Sequence, residues 1–365
     1  MIESIRASRL EVRFRHAFSH ASATREATQT IWVCVRGRGG LSGYGEGCPR
    51  EYVTGETLAG TEAFVARHAD GWREEINRVE DLARWTRTNR AEIDANPAAW
   101  CAVELAFLDF FGRHAGRPVE ALLDRMPLEG RFCYTAVIGD GPQTAFEAQL
   151  ARYRKAGFRQ FKVKLAGERD RDAGKVLALR RAGLDGAAVR ADANNLWRSA
   201  DEALQALRAL DFSFYALEEP LPPGDYAGMA YVADALGCSI VLDESLARAD
   251  QLERLDDADR WIANVRVSKM GGLLRSLEIV EAAVRRRVRV IVGAHVGETS
   301  VLARAALTVA AAATPALVAQ EGAFGTHLLE RDVADPPLMF GPGGVLDAGR
   351  LAAAPGWGLN MVART

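Results

Sequence analysis

The stretch from Gln160 to Asn194 opens with QFKVKL (160–165) and closes with AAVRADAN (187–194), and its reading decides the fold of the second half of the chain. Both ends look like short strands, and each finishes on a residue that is costly to bury, Lys164 and Asp192. The cadence continues outward. FYALEEP carries Glu218, SIVLDES carries Asp243, IANVRVSK carries Arg266 and VIVGAH ends on His295. By subtraction the steps are 28, 26, 25, 23 and 29 residues, room each time for a strand, a returning helix and two short loops. Parallel neighbours need such a crossover, because a tight hairpin only reverses direction. A closed ring of these units gathers its strand C-termini at one mouth, where such a barrel holds its active site. The six side chains are therefore expected to converge, as an enzyme requires.

FCYTAV upstream and LVAQE (317–321) downstream bring the strands to eight, the number of a (β/α)₈-type barrel over residues 129–335. Residues 1–128 read as an N-terminal α+β capping domain. IRASRLEVRF and QTIWVCVRG are strand-like, GRGGLSGYGEG is a turn region, and AAWCAVELAFLDFFGRHAG is helical. In that helix Trp100, Val103, Phe107 and Phe111 share a face, with Gly112 or Gly116 as the stop and Pro118 beyond. The turn-rich tail, 336–365, is expected to pack back onto this first domain.

At 365 residues, 48% hydrophobic, 26% charged and with a formal net charge of −2, the composition is that of an ordinary globular protein. It gives no reason to expect a nucleic-acid or membrane partner. MIESIRASRLEVRF lacks the apolar centre of a secretory signal, and the cytoplasm is the expected location. Cys34, Cys48, Cys101, Cys133 and Cys238 sit in apolar contexts without CxxC spacing and read as buried, reduced thiols.

Asp192, Glu218 and Asp243 end three consecutive strands, so their carboxylates are expected side by side. Oxygen donors of this kind suit a hard cation, Mg²⁺ first among them. Each acid alone could equally cap a helix. Asn194 reads either as a ligand-orienting amide or as a turn former. Glu219 and Glu244 are adjacent rivals, one of each pair pointing away by strand alternation. Lys162 and Lys164 face the same way, two apart, and paired ammonium groups lower one another's pKa. Lys164, nearer the mouth, is then the candidate base, with Lys162 tuning and orienting. Arg266 is a poor base but a good carboxylate clamp. His295 is either an acid–base group or a strand-end histidine held by hydrogen bonds. Glu321 is expected to face the same mouth, and Lys269 to be a loop lysine.

KVK (162–164), ADAN, LEEP, LDES, NVRVSKMGG and GYGEGCPREYVTGET (43–57) together resemble the enolase superfamily, and within it the muconate-lactonizing branch, over nearly the whole chain. The resemblance implies a bound Mg²⁺ on Asp192, Glu218 and Asp243, a Lys164 base, and an enediolate formed from a small-molecule carboxylate substrate. It also implies a homo-oligomer, and a capping segment that selects the substrate through His20, Tyr52 and Val53. One departure stands out. That branch usually places a second catalytic lysine where this chain has Arg266. A single-base reaction, dehydration or cycloisomerisation, is accordingly the first expectation. His295 and Glu321 resemble the seventh- and eighth-strand residues of mandelate racemase, although that enzyme's aspartate partner would fall at Arg266. The alternatives are a racemase or epimerase of N-acyl amino acids or dipeptides, and a non-catalytic carboxylate-binding barrel.

Overall fold

A computed structural model describes residues 1–20 and 23–362, without the side chains of 19, 20, 23 and 24. Eight short strands follow one another in space as they do in sequence: β1 (Ala136–Ile138), β2 (Phe161–Lys164), β3 (Val189–Asp192), β4 (Ala216–Glu218), β5 (Ser239–Leu242), β6 (Trp261–Val265), β7 (Arg289–Val292) and β8 (Leu317–Gln320). All neighbours are parallel. The Thr135 N–H donates to the Gln320 carbonyl at 2.8 Å and draws the first and eighth strands together. FCYTAV, expected as one strand, is divided. Arg131–Cys133 leaves the barrel and pairs antiparallel with Val345–Asp347.

Strand alternation explains what faces the barrel interior. Ala216, Val241, Ile262, Ile291 and Ala319 form a separate buried apolar cluster at its floor. Two residues beyond three of these come Glu218 and Asn264, on β4 and β6, and Asp243, just past the end of β5, all fully buried. The register aligns Lys164 with Asp192, and Asp192 with Glu218. An apolar floor beneath a charged layer follows directly from the period of two.

The N-terminal region is an antiparallel sheet of Ile2–Leu10, Thr30–Gly37 and Ser42–Gly47. IRASRLEVRF breaks after Leu10, and Arg13–His20 pairs with Ala23–Ala27 in a separate ribbon. The helix Pro97–Ala115 ends at Gly116 in the left-handed conformation, but it is not amphipathic: every residue from Pro97 to Gly112 is buried. The reason lies opposite. Gly43, Gly45 and Gly47 present one bare face of their strand, so the helix backbone rests directly on the sheet. A Cβ at Gly45 would stand 2.0 Å from the Ala102 carbonyl oxygen. Because backbone cannot yield as a side-chain tip can, Gly45→Ala is expected to cost at least ~1–3 kcal/mol, read as a lowered midpoint in thermal or urea unfolding.

Several buried carboxylates tie this region to the barrel. Glu46 accepts from the Thr299 N–H at 2.9 Å, the Thr299 hydroxyl at 2.6 Å and the Leu302 N–H at 3.2 Å, capping the helix Ser300–Ala312. Glu104 accepts from the Leu274 N–H at 3.0 Å at the start of Leu273–Arg285. Arg304 holds Glu120 through two 2.8 Å bonds and donates to the Trp357 carbonyl, while the Trp357 N–H donates to Asp109. The tail thus lies against the long buried helix. Among the described residues no disulfide forms, and only Cys48 and Cys101 are buried. Cys133 is exposed, because the three-residue strand that carries it turns only Phe132 inward. No helix among the described residues is long and apolar enough to cross a membrane.

Candidate active site

Lys162, 1% exposed, lies 2.9 Å from Asp192 and 2.7 Å from Glu218, with Glu321 at 3.2 Å. Burial works to depress its pKa, but Asp192, then Glu218 and Glu321, outweigh burial and raise it. Three carboxylates thus hold Lys162 charged, against the mutual lowering expected of two neighbouring ammonium groups. Lys164 donates to Asp192 at 2.5 Å and to the Asn194 side chain at 2.9 Å. Asn194 has a φ of 46° and donates its own N–H to Asp192 at 3.0 Å, so it is both turn former and orienting amide.

Across the mouth, Arg266 donates to Asp243 closely and to Glu218 at 3.4 Å. Its guanidinium is raised further by Asp243 and Glu218 in spite of burial, so it remains a permanent cation. Lys269 is not a loop lysine. β6 runs straight into one helical turn, Val267–Met270, closed by Gly271 at a φ of 81°, which swings Lys269 back over the site. There its ammonium lies 2.7 Å from Asp243 Oδ1 and 3.1 Å from the Asn264 carbonyl oxygen. Glu321 lines the same cavity and there meets Arg190 as well as Lys162, a buried counter-charge.

The adjacent acids separate in an unforeseen way. Glu219 turns away to hold the loop after β5, accepting from the Asp243 and Ser245 N–H groups at 2.7 Å and from the Ser245 hydroxyl at 2.8 Å. Glu244, however, lines the same cavity as Lys164. Alternation governs only residues within a strand, and β5 ends at Leu242. Burial, then Asp243, pushes Glu244 up to about 8, and burial with Asp192 pushes Glu218 up to about 8.

These residues fit a divalent cation. Among the described residues no three acidic, thiol or imidazole groups are already drawn together at metal-binding distance. Lys162 instead bridges Asp192 and Glu218, and Arg266 bridges Glu218 and Asp243, so the three carboxylates border one shared space. All three are fully buried oxygen donors of the hard kind. Beside them Glu244 Oε2 is buried without any hydrogen-bond partner, an oxygen that a cation would engage.

His295, 3% exposed, lines the cavity with neither ring nitrogen hydrogen-bonded, while its backbone N–H donates to Glu298 at 2.7 Å. The strand-end reading of a ring satisfied by hydrogen bonds is therefore set aside. Burial, then Arg266 and Arg50, lowers its pKa well below the ordinary value, so the folded ring is neutral. The sign follows. Protons bind the unfolded chain more readily, so stability is lost as pH falls below the ordinary value of about 6.5, by up to ~1.4 kcal/mol per pH unit. Urea titrations of wild type and His295→Asn at pH 7.5 and 5.5 are expected to show a smaller loss in the variant.

From the capping region, Tyr52 reaches the cavity, whereas Val53 lines a separate, smaller one beside Arg248 and Arg275. The His20 side chain lies outside the described residues. Arg50 was not anticipated. It is buried and donates to the Pro49, Gln29 and Val296 carbonyl oxygens at 2.8–2.9 Å, pinning the capping segment to the loop that carries His295. Its place inside the quoted GYGEGCPREYVTGET segment was the available signal.

The family model described as enolase C-terminal domain-like matches residues 145–364. A hydrophobic dipeptide epimerase of Enterococcus faecalis is 29% identical over 320 residues, 84% of this chain and 86% of its own length. The crystal structure of a dipeptide epimerase from the same organism, complexed with Mg and L-Leu-L-Tyr, superimposes with a TM-score of 0.80 at 24% identity, covering 98% of this chain and 99% of that one. That of 2-chloromuconate cycloisomerase from Rhodococcus opacus gives 0.86 at 25% identity, covering 99% and 97%.

Proposed function

Because this chain belongs to the enolase C-terminal domain-like family, we propose that it is a Mg²⁺-dependent epimerase or racemase acting at the carbon α to the carboxylate of a dipeptide or N-acyl amino acid. The order of the two sequence expectations is thereby reversed. The similar curated relatives are dipeptide epimerases and N-acyl amino acid racemases, and cycloisomerisation or dehydration moves to second place. The observation that carries the reading is that Lys164, on β2, and a neutral His295 whose ring makes no hydrogen bond, beyond β7, line the wall of one cavity.

Mg²⁺ on Asp192, Glu218 and Asp243 would supply positive charge for the enediolate oxygens. The chain's own groups do the rest. Neutral His295 takes the α-proton on one face, and Lys164, held by Asn194, delivers a proton to the other. In the reverse direction the two exchange roles. Arg266 stays protonated and steadies anionic charge without moving a proton. The cavity lies under the capping segment, which limits water at the reacting carbon.

One observation favours the second reading. Arg266 stands where the muconate-lactonizing branch usually has its second lysine, and a single-base lyase or cycloisomerase needs only Lys164. Proton NMR in D₂O with Mg²⁺, over a pool of dipeptides, N-acyl amino acids, acid sugars and muconates, separates the two. Loss of the α-proton signal with interconversion of stereoisomers is expected. A new alkene or lactone without stereoisomer exchange would overturn the epimerase assignment in favour of the second.

A further inference from the structure

His295 opens a tight turn that Glu298 closes. The Glu298 N–H donates to the His295 carbonyl at 3.2 Å, and Gly297 supplies the φ of 93° that such a turn needs at its third residue. The return bond comes from the side chain: the His295 N–H donates to Glu298 Oε1 at 2.7 Å. On the other side the chain is fixed from the N-terminal sheet, where Glu46 holds both the N–H and the hydroxyl of Thr299. The Glu298 carboxyl is thereby set beside the ring, with Oε1 3.8 Å from His295 Nδ1. The two side chains are 7% and 1% exposed, and both residues line the cavity with Lys164.

The ring is otherwise surrounded by cations. Arg266 after β6, Arg50 of the capping segment, Lys269 of the helical turn and Arg25 of the ribbon all act against a charge on it. Among the described residues Glu298 is the one carboxylate within 4 Å of a ring nitrogen. Neither nitrogen is hydrogen-bonded, so closure by about 1 Å would turn the 3.8 Å approach into a bond. Burial, with Glu46 adding to it, pushes the Glu298 carboxyl up to about 8, against the His295 N–H, Arg266 and Arg50. Near neutrality the pair thus carries its proton on Glu298 and leaves the ring a free base.

We infer that Glu298 is the positioning residue of His295: its Oε1 receives the Nδ1–H, which fixes the tautomer and leaves Nε2 as the basic nitrogen. The inference rests on the acid–base reading of His295 above and deepens it. When Nε2 takes the α-proton, the C–H electron pair stays with the substrate and the new imidazolium lies among cations. Glu298 then loses its own proton to solvent, and the carboxylate closes on Nδ1–H. On the return the ring gives its Nε2 proton to carbon and Glu298 is protonated again. The sixth-strand position that would bring an aspartate to this ring holds Arg266, so the carboxylate comes from the histidine's own loop.

Nitrogen-15 NMR of histidine-labelled protein reads the tautomer without substrate, and His295→Asn identifies the signal among the six histidines. Wild type is expected to carry the ring proton on Nδ1. Glu298→Gln is isosteric and keeps an acceptor for the His295 N–H, so it should fold and retain this tautomer. Glu298→Ala should move the proton to Nε2, which imidazole prefers on its own. The second readout is α-proton exchange in D₂O with Mg²⁺, on L-Ala-L-Phe and L-Ala-D-Phe and on both enantiomers of N-acetylphenylalanine. Glu298→Gln should slow exchange about tenfold from the isomer that His295→Asn silences, as loss of one charge-assisted contact predicts. The other isomer should lose far less, and the double variant should be no slower than His295→Asn. An Nε2 proton in wild type, an unmoved tautomer in Glu298→Ala, or no loss from either isomer would each overturn the inference. Equal loss from both isomers, or a further loss in the double variant, would overturn it by marking Glu298 as structural only. Absence of exchange from every probe counts against the proposed function and leaves the pair to be decided by the tautomer alone.

Discussion

Lys164→Ala is expected to lower exchange of the substrate α-proton by ~10²–10⁴-fold, the usual contribution of a positioned acid–base group. Mg²⁺ binding and the folded state should persist, because Lys162 still neutralises Asp192 at 2.9 Å and the strand β2 keeps its pairing. The measurement is deuterium incorporation by NMR beside Mg²⁺ titration calorimetry on the same protein. His295→Asn should cut exchange from one stereoisomer more than from the other, since each group serves one face. Exchange that survives Lys164→Ala unchanged would remove this lysine from the chemistry.

The largest effect on stability is expected far from the mouth. Arg304 is 0% exposed and Glu120 is 2% exposed, and they meet through two 2.8 Å bonds with the Thr308 hydroxyl alongside. Burial opposes the Glu120 charge, but Arg304 outweighs it and holds the carboxyl below its ordinary range, so the carboxylate stays ionised. Glu120→Ala leaves an unpaired guanidinium in the interior and should cost ~3–5 kcal/mol, read as a reduced urea midpoint. Replacing both residues by apolar side chains of similar volume should recover most of that loss, because it removes the desolvated charge itself. A single variant as stable as wild type would show that water reaches Arg304.

Much of the barrel was legible in the sequence because its signal is periodic. A crossover has a minimum length, so strand ends recur at a near-constant step, and Lys164, Asp192 and Glu218 do lie in register. What escaped was set by local departures from that period. Lys269 reaches Asp243 through a single helical turn that no strand pattern encodes. Glu244 enters the cavity because its strand has already ended. The stripe of Trp100, Val103, Phe107 and Phe111 predicts an amphipathic helix at Pro97–Ala115, whereas the cause of its burial on all sides from Pro97 to Gly112 is three glycines in another element.

Glu46 and Glu104 belong to the N-terminal region, yet the helix starts they satisfy belong to the barrel. The barrel therefore does not carry all of its own punctuation. Inheritance by shuffling caps among relatives is constrained accordingly: a donor cap must bring an acid to each of those two places, or the recipient barrel receives helices with bare first turns. Cap and barrel are in this sense spelled as a single word.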